Sequence, residues 1–198
     1  MTVDNATIIV CKISTVLIVD DVTATYNINR NLVITLKDDE GNVLSGAPVT
    51  VKLNEERQYS TDANGQIKVN VAKLAPKIYV AIMTYAGDDV YAKSTMKVLV
   101  TINKAKSKFV AKKKTFKKSK KVKKYSVVLK DNLGKEIKKA SLSIKVGKKT
   151  FKAKTNSKGK ATFKIKKLTK KAKYNAKVTY KGNKYYNKAT QKVKITIK

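Results

Sequence analysis

The stretch YVAIMTYAGDDVY, residues 79–91, returns 95 residues later as YNAKVTYKGNKYY, residues 174–186. Three tyrosines, an alanine, a threonine and a glycine keep their places, whereas the two aspartates become asparagine and lysine. In the second version apolar residues alternate with polar ones up to the turn, which is the period-two pattern of a strand with one buried face. The stretch therefore predicts a β-strand that runs into a turn, and the chain uses this unit twice.

The repeat extends well beyond this stretch. LVITLKDDEG (32–41) matches YSVVLKDNLG (125–134), and KVLVTI (97–102) matches KVKITI (192–197). A period near 95 residues has the size of a whole domain, because solenoid repeats run only about 20–50 residues. The sequence therefore predicts two tandem domains of the same fold.

Each copy has about seven short strands, with turn signals every 8–12 residues. This arrangement predicts an all-β chain of two tandem immunoglobulin-like β-sandwich domains. We assign residues 14–104 to a neutral domain and residues 105–198 to a lysine-rich domain. Residues 1–13 are either the tail of a preceding domain or an N-terminal strand of the first copy. Turn glycines predicted to need a positive φ are Gly41, Gly65, Gly87, Gly134, Gly159 and Gly182.

The net charge of +33 belongs entirely to the second copy. Residues 1–104 contain 11 Lys+Arg and 11 Asp+Glu, whereas residues 105–198 contain 35 lysines, no arginine and two acids. A surface of one sign attracts ligands of the other sign. The second domain is therefore predicted to contact polyanions, although a solvated lysine face without any ligand is the simpler alternative.

Two lysine runs, within residues 112–124 and 164–173, are the strongest functional signal. The predicted partners are an anionic cell-wall polymer, an acidic glycan or nucleic acid. Without arginine or a recognition helix, sequence-specific nucleic-acid recognition is disfavoured, but nonspecific phosphate binding remains an alternative. The candidate polyanion-binding residues are Lys112, Lys113, Lys114, Lys117, Lys118, Lys120, Lys121, Lys123, Lys124, Lys166, Lys167, Lys170 and Lys171.

The composition argues against catalysis. With no histidine and a single cysteine, His-based triads, Cys–His dyads, the usual zinc sites and an internal disulfide are excluded. Cys11 is interpreted as a small apolar strand residue. The acidic cluster 38–40 with Asn42 is either a calcium site or a hairpin turn, and its spacing, which matches no EF-hand loop, favours the turn. We expect a non-enzymatic protein without cofactor or metal.

Four tyrosines frame the repeated turn: Tyr85, Tyr91, Tyr180 and Tyr186. They could form an aromatic platform for carbohydrate. The favoured interpretation is that they close one end of each sandwich, with the rings buried and the hydroxyls in solvent.

The order of LKDDEGNVLSGAPVTVKLN (36–54), YSTDANGQIKVNV (59–71) and YVAIMTYAGDDVYAKS (79–94) resembles the bacterial-type Ig-like repeats of large surface proteins. It is most similar to those in the adhesin-like proteins of methanogenic archaea. The second copy resembles the lysine-rich repeats of such chains. The resemblance implies stalk or adhesion modules outside the cell, with another cell's surface as a further partner.

Two sequence patterns bear on where the protein is located. No apolar stretch reaches the roughly 18 residues that a membrane span needs, so no membrane insertion is expected. The N-terminus shows no signal-peptide pattern. We expect a monomeric segment of a longer cell-surface or extracellular chain; the alternative is an intracellular, basic nucleic-acid-binding protein.

Overall fold

The computed structural model describes residues 11–198 as two compact units, the first ending at Asn103 and the second comprising Lys104–Lys198. The predicted segment 1–13 lies outside the described residues except for its last three. Of these, Ile13 donates its N–H to the carbonyl of Val90 (2.9 Å). Each unit is a β-sandwich, and the predicted all-β tandem Ig-like fold is confirmed.

Within residues 11–103, the first unit contains eight strands in two sheets. The strands are β1 Thr15–Ile18, β2 Val22–Thr25, β3 Asn31–Asp38, β4 Pro48–Lys52, β5 Glu56–Ser60, β6 Gln66–Asn70, β7 Ile78–Tyr85 and β8 Ser94–Asn103. β3 lies between β1 and β6 in a three-stranded sheet, and the five-stranded sheet has the order β2-β8-β7-β4-β5.

The second unit repeats this topology strand for strand. Its strands are β9 Ser107–Val110, β10 Lys114–Phe116, β11 Val122–Asp131, β12 Ser141–Val146, β13 Lys149–Lys154, β14 Lys160–Lys166, β15 Ala172–Tyr180 and β16 Ala189–Ile197. The three-stranded sheet has the order β14-β11-β9, and the five-stranded sheet has the order β10-β16-β15-β12-β13.

Within residues 11–198 each unit has eight strands, whereas about seven were predicted. The difference arises because the first strand of each copy is divided between the two sheets. β1 pairs antiparallel with β3, whereas β2 crosses to the other sheet and pairs parallel with β8. β9 and β10 do the same against β11 and β16. Alternation within a single segment does not indicate to which sheet that segment belongs.

The core of each unit follows the predicted period of two. Leu32, Ile34 and Leu36 on β3 are fully buried. On β14, Phe163 and Ile165 are fully buried, while the residues between them are exposed. Burying one face of each sheet against the other supplies the main favourable term of folding.

All six turn glycines that were predicted to have a positive φ do have one, with values between +64° at Gly159 and +88° at Gly41. The interpretation of Cys11 as a strand residue is wrong, because this residue is exposed and lies outside the strands. Among residues 11–198, no helix has the length and apolar composition that crossing a membrane requires.

Candidate polyanion-binding surface

Twelve of the thirteen predicted lysines are exposed. Many of them lie in two loops of the second unit, residues 117–121 between β10 and β11 and residues 167–171 between β14 and β15. Phe116 and Ala172 both pair with Ile197 at the end of β16, so the two loops lie at the same end of the sandwich. This surface, the lysine end, comprises Lys117, Lys118, Lys120, Lys121, Lys166, Lys167, Lys170 and Lys171.

The remaining exposed candidates, Lys112, Lys113, Lys114 and Lys124, form a second group along the side of the unit. The hydroxyl of Tyr125 donates to the carbonyl of Lys112 (2.8 Å), which fixes the chain between β9 and β10. The ammonium of Lys114 donates to the carbonyl of Lys124 (3.3 Å). The thirteen predicted residues therefore do not form one site.

Lys123 does not belong to either surface. It lies on the inward face of β11, two residues before the buried Tyr125, and is only 1% exposed. Its ammonium donates to the carbonyl of Lys120 (2.6 Å), with the carbonyl of Lys118 at 3.5 Å. Lys123 therefore holds the 117–121 loop from beneath and cannot reach a polymer, so we remove it from the candidate surface.

The two acids of the second unit leave the lysines almost without counter-charge. Asp131 is buried, and one of its carboxylate oxygens accepts the N–H groups of Leu133 and Lys135 (2.9 Å each). Glu136 lies 3.8 Å from the ammonium of Lys130. Asp131 ends β11 and Glu136 follows it, whereas the 117–121 loop precedes β11, and residues 105–198 contain no other acidic side chain.

A further cationic surface lies on the outer face of the five-stranded sheet, where the lysine runs gave no indication of it. Lys145 of β12 pairs with Lys177 of β15, and Lys177 pairs with Lys192 of β16. All three side chains are exposed. The alternation in KVKITI (192–197) indicates that lysines point outward, but only the register across the strands shows that three of them lie in one row.

The acidic cluster of the first unit forms a turn. The two carboxylate oxygens of Asp38 accept the backbone N–H (2.8 Å) and the side-chain amide (3.1 Å) of Asn42. Asp38 is therefore engaged in closing the hairpin, as the favoured interpretation predicted. Within residues 11–198, no three potential metal-ligating side chains come together.

In the first unit, the repeated tyrosine turn is closed by Asp88. One carboxylate oxygen accepts the N–H groups of Val90 (2.8 Å) and Tyr91 (2.7 Å), and the other accepts the hydroxyl of Tyr85 (2.8 Å). Burial, assisted by the hydrogen bond to Asp88, raises the pKa of Tyr85 to about 12. The backbone N–H of Tyr91 and then the Tyr85 hydroxyl lower the pKa of Asp88. Asp88 therefore accepts a hydrogen bond from a buried hydroxyl in addition to closing the turn.

In the second unit, Asn183 replaces Asp88 and performs only half of this role. Its side-chain oxygen accepts the N–H groups of Tyr185 (2.8 Å) and Tyr186 (2.9 Å). The remaining polar atom is an amide nitrogen, which cannot accept a hydrogen bond from the hydroxyl of Tyr180. That hydroxyl is buried and has no hydrogen-bond partner among residues 11–198.

The tyrosine rings are placed as the favoured interpretation predicted. Tyr85 and Tyr180 are buried, and Tyr91 and Tyr186 pack partly buried against the two cores. The expectation that the hydroxyls lie in solvent is wrong for Tyr85 and Tyr180: the Tyr85 hydroxyl is buried and donates to Asp88, and the Tyr180 hydroxyl is buried as well. The predominantly buried rings do not form an exposed carbohydrate platform.

No protein-family model matches the chain, and no curated protein is significantly similar to it. Among solved structures, invasin, a bacterial integrin-binding protein, aligns with 93% of this chain at 16% identity and a TM-score of 0.57. The match spans 39% of the invasin chain, so this chain is much shorter than the structure that it resembles. At this identity the similarity shows a shared fold.

Two further structures align at lower scores. The titin domains Z1Z2, in complex with telethonin, cover 96% of this chain and 98% of their own at 7% identity, with a TM-score of 0.49. A bacterial ice-binding adhesin aligns with 94% of this chain and 66% of its own at 13% identity, with a TM-score of 0.40.

Proposed function

We propose that this chain is a non-enzymatic, adhesin-like segment of a cell-surface protein. The first unit is a neutral spacer, and the second unit docks on an anionic cell-wall polymer or acidic glycan. One observation carries the proposal: the same sandwich occurs twice, and only the second copy exposes lysines that have almost no acidic partners. Repulsion among so many like charges destabilises a compact domain, and an anionic ligand relieves it.

Two resemblances support an extracellular location. The motif order resembles the repeats of methanogen adhesin-like proteins, and the fold is similar to that of invasin, a bacterial integrin-binding protein. In this proposal the chain acts as a monomeric segment of a longer protein, and the second unit contacts its own cell's wall or another cell's surface. No membrane insertion is involved.

We also propose that residues 14–104 and 105–198 fold independently. Each unit has its own buried cluster of apolar side chains and its own pair of sheets. Independence would let a change of surface charge in one copy leave the other copy unaffected. The glycine substitutions discussed below test this part of the proposal.

The proposed docking is tested by binding the full chain to immobilised polygalacturonate over a salt series. Each lysine that neutralises an anionic group releases condensed counterions, so the affinity should fall steeply and linearly in log–log form as salt increases. Dextran, which is uncharged, serves as the control polymer and should not bind.

Binding that is independent of salt, or equal binding to dextran, would contradict the proposal. Double-stranded DNA of mixed sequence is the second ligand in the same series. Binding to this DNA that is tighter than binding to polygalacturonate at the same salt concentration would instead favour the alternative of a nonspecific nucleic-acid-binding protein.

A further inference from the structure

The row Lys145–Lys177–Lys192 on the outer face of the five-stranded sheet is unusual, because its register places like charges opposite one another on neighbouring strands. Residues paired across neighbouring strands lie on strands about 4.8 Å apart, and like charges directly opposite each other are destabilising. Neither acid of the second unit lies on these three strands. The row therefore has an electrostatic cost that no side chain of this face offsets.

The first unit shows that the fold does not require this row. The residues at the matching positions of the repeat are Lys52, Ile82 and Lys97, which also pair across three strands. The central isoleucine separates the two lysines there. Lysine at position 177 therefore brings three ammonium groups side by side in the second copy alone.

The same substitution pattern continues along the face. In the first unit, Val80 pairs with Leu99 and both are exposed, at 55% and 45%. In the second unit the corresponding pair is Asn175 and Lys194. An outer face with an apolar centre has thus become one of lysine and amide, while the strand pairing beneath it is unchanged.

Neutral hydrogen-bonding groups are interleaved with these lysines. Thr179 pairs with Ser143 on one side and Thr190 on the other, forming a second row next to the lysines. No aromatic side chain points outward from β12, β15 or β16, because Tyr174 and Tyr180 pack against the core. A flat face of ammonium, hydroxyl and amide groups suits sugars that carry carboxylates, and it lacks the aromatic stacking platform that single-stranded nucleic acid uses.

We propose that this face, and not the lysine end, is the principal contact with an extended acidic polysaccharide. The carboxylates of the polymer lie on Lys145, Lys177, Lys192 and Lys194, and its hydroxyls hydrogen-bond to Asn175 and Thr179. This inference rests on the proposed function, since it assigns the surface through which the second unit docks.

The test compares two triple variants of the full chain with the same charge. One is Lys145→Gln/Lys177→Gln/Lys192→Gln on the sheet face, and the other is Lys117→Gln/Lys118→Gln/Lys121→Gln in the lysine end. At fixed ionic strength, the sheet-face variant should bind polygalacturonate about tenfold more weakly than the parent chain, and the loop variant at most about twofold more weakly. The sheet-face variant should also melt at an equal or higher temperature, because facing like charges have been removed.

The other outcomes separate this inference from the proposed function. Equal weakening in both variants, or weakening only in the loop variant, would overturn the sheet-face assignment and leave polyanion docking intact. If the parent chain binds no anionic polymer, the proposed function itself fails. If single-stranded DNA binds more tightly than polygalacturonate and the sheet-face variant weakens it equally, the occupant is nucleic acid and the glycan assignment is overturned.

Discussion

Alanine at Gly182 is expected to unfold the second unit under conditions where the parent chain is stable. Gly182 has a φ of +84°, and a Cβ there would lie 2.7 Å from the carbonyl oxygen of Tyr186 and 2.9 Å from the nitrogen of Lys188. Both contacts are backbone atoms, so the turn itself would have to move. We expect the free energy of unfolding to fall by about 3 kcal/mol or more, since strain adds to the cost of a left-handed residue.

Hydrogen exchange of the full chain, followed by mass spectrometry, measures this loss separately in each unit. The matched control is Gly134→Ala, because Gly134 has a similar φ of +81° but nothing lies within 4 Å of the added Cβ. Only the conformational cost of about 1–2 kcal/mol is expected there. Equal losses in the free energy of unfolding for Gly182→Ala and Gly134→Ala would show that the close backbone contacts of the turn are not the reason why glycine is needed there.

The equivalent substitution in the first copy tests independent folding. Gly87 meets the corresponding atoms, the carbonyl oxygen of Tyr91 at 2.7 Å and the nitrogen of Lys93 at 2.9 Å. Gly87→Ala should therefore accelerate exchange only in the first unit, and Gly182→Ala only in the second. A substitution that destabilised both units together would contradict the proposal that they fold independently.

Asn183→Asp is expected to stabilise the second unit. The new carboxylate oxygen would accept the hydroxyl of Tyr180, which is buried and unpaired in the present structure, just as Asp88 accepts the hydroxyl of Tyr85. A hydrogen bond to a charged acceptor contributes about 1.5–3 kcal/mol. The same exchange experiment would record the gain as slower opening of the second unit.

A control variant separates the effect of the added negative charge from the effect of the new hydrogen bond. Asn156→Asp adds the same charge in another turn, where the Asn156 side-chain oxygen accepts only the N–H groups of Lys158 and Lys160. The corresponding residue of the first copy, Asp62, already carries that charge in the same role. A gain from Asn156→Asp as large as that from Asn183→Asp would mean that electrostatics, and not the Tyr180 hydroxyl, accounts for the effect.

Sequence alone could predict the features that depend on the residue pattern within one segment of the chain. The period-two alternation of YNAKVTY (174–180) placed Ala176, Val178 and Tyr180 in the core, and the repeat identified the glycines that need a positive φ. The same alternation, counted back from Tyr125, would have placed Lys123 on the buried face. The density of lysines around it concealed that signal.

Other features depend on pairs of residues far apart in the chain. The row Lys145–Lys177–Lys192 requires the register of three strands, and a single strand pattern does not contain that register. The unpaired hydroxyl of Tyr180 depends on the burial of that hydroxyl within the sandwich, which a strand pattern does not show. The division of each first strand between two sheets depends on pairing with β3 and β8 in one copy and with β11 and β16 in the other, so counting strands from alternation gave about seven.

The most direct test of the central claim is lysine acetylation of the full chain with and without polygalacturonate, read residue by residue by mass spectrometry. Residues 1–104 contain nine lysines and residues 105–198 contain 35, so the first unit provides an internal control. We predict that the polymer slows labelling of exposed lysines in the second unit several-fold at about 0.1 M salt, where the Debye length is about 10 Å. The nine lysines of residues 1–104 should label at unchanged rates, and the buried Lys123 should stay unlabelled throughout. Protection spread equally over both units, or no protection at all, would contradict the claim that the second copy is a polyanion-docking domain.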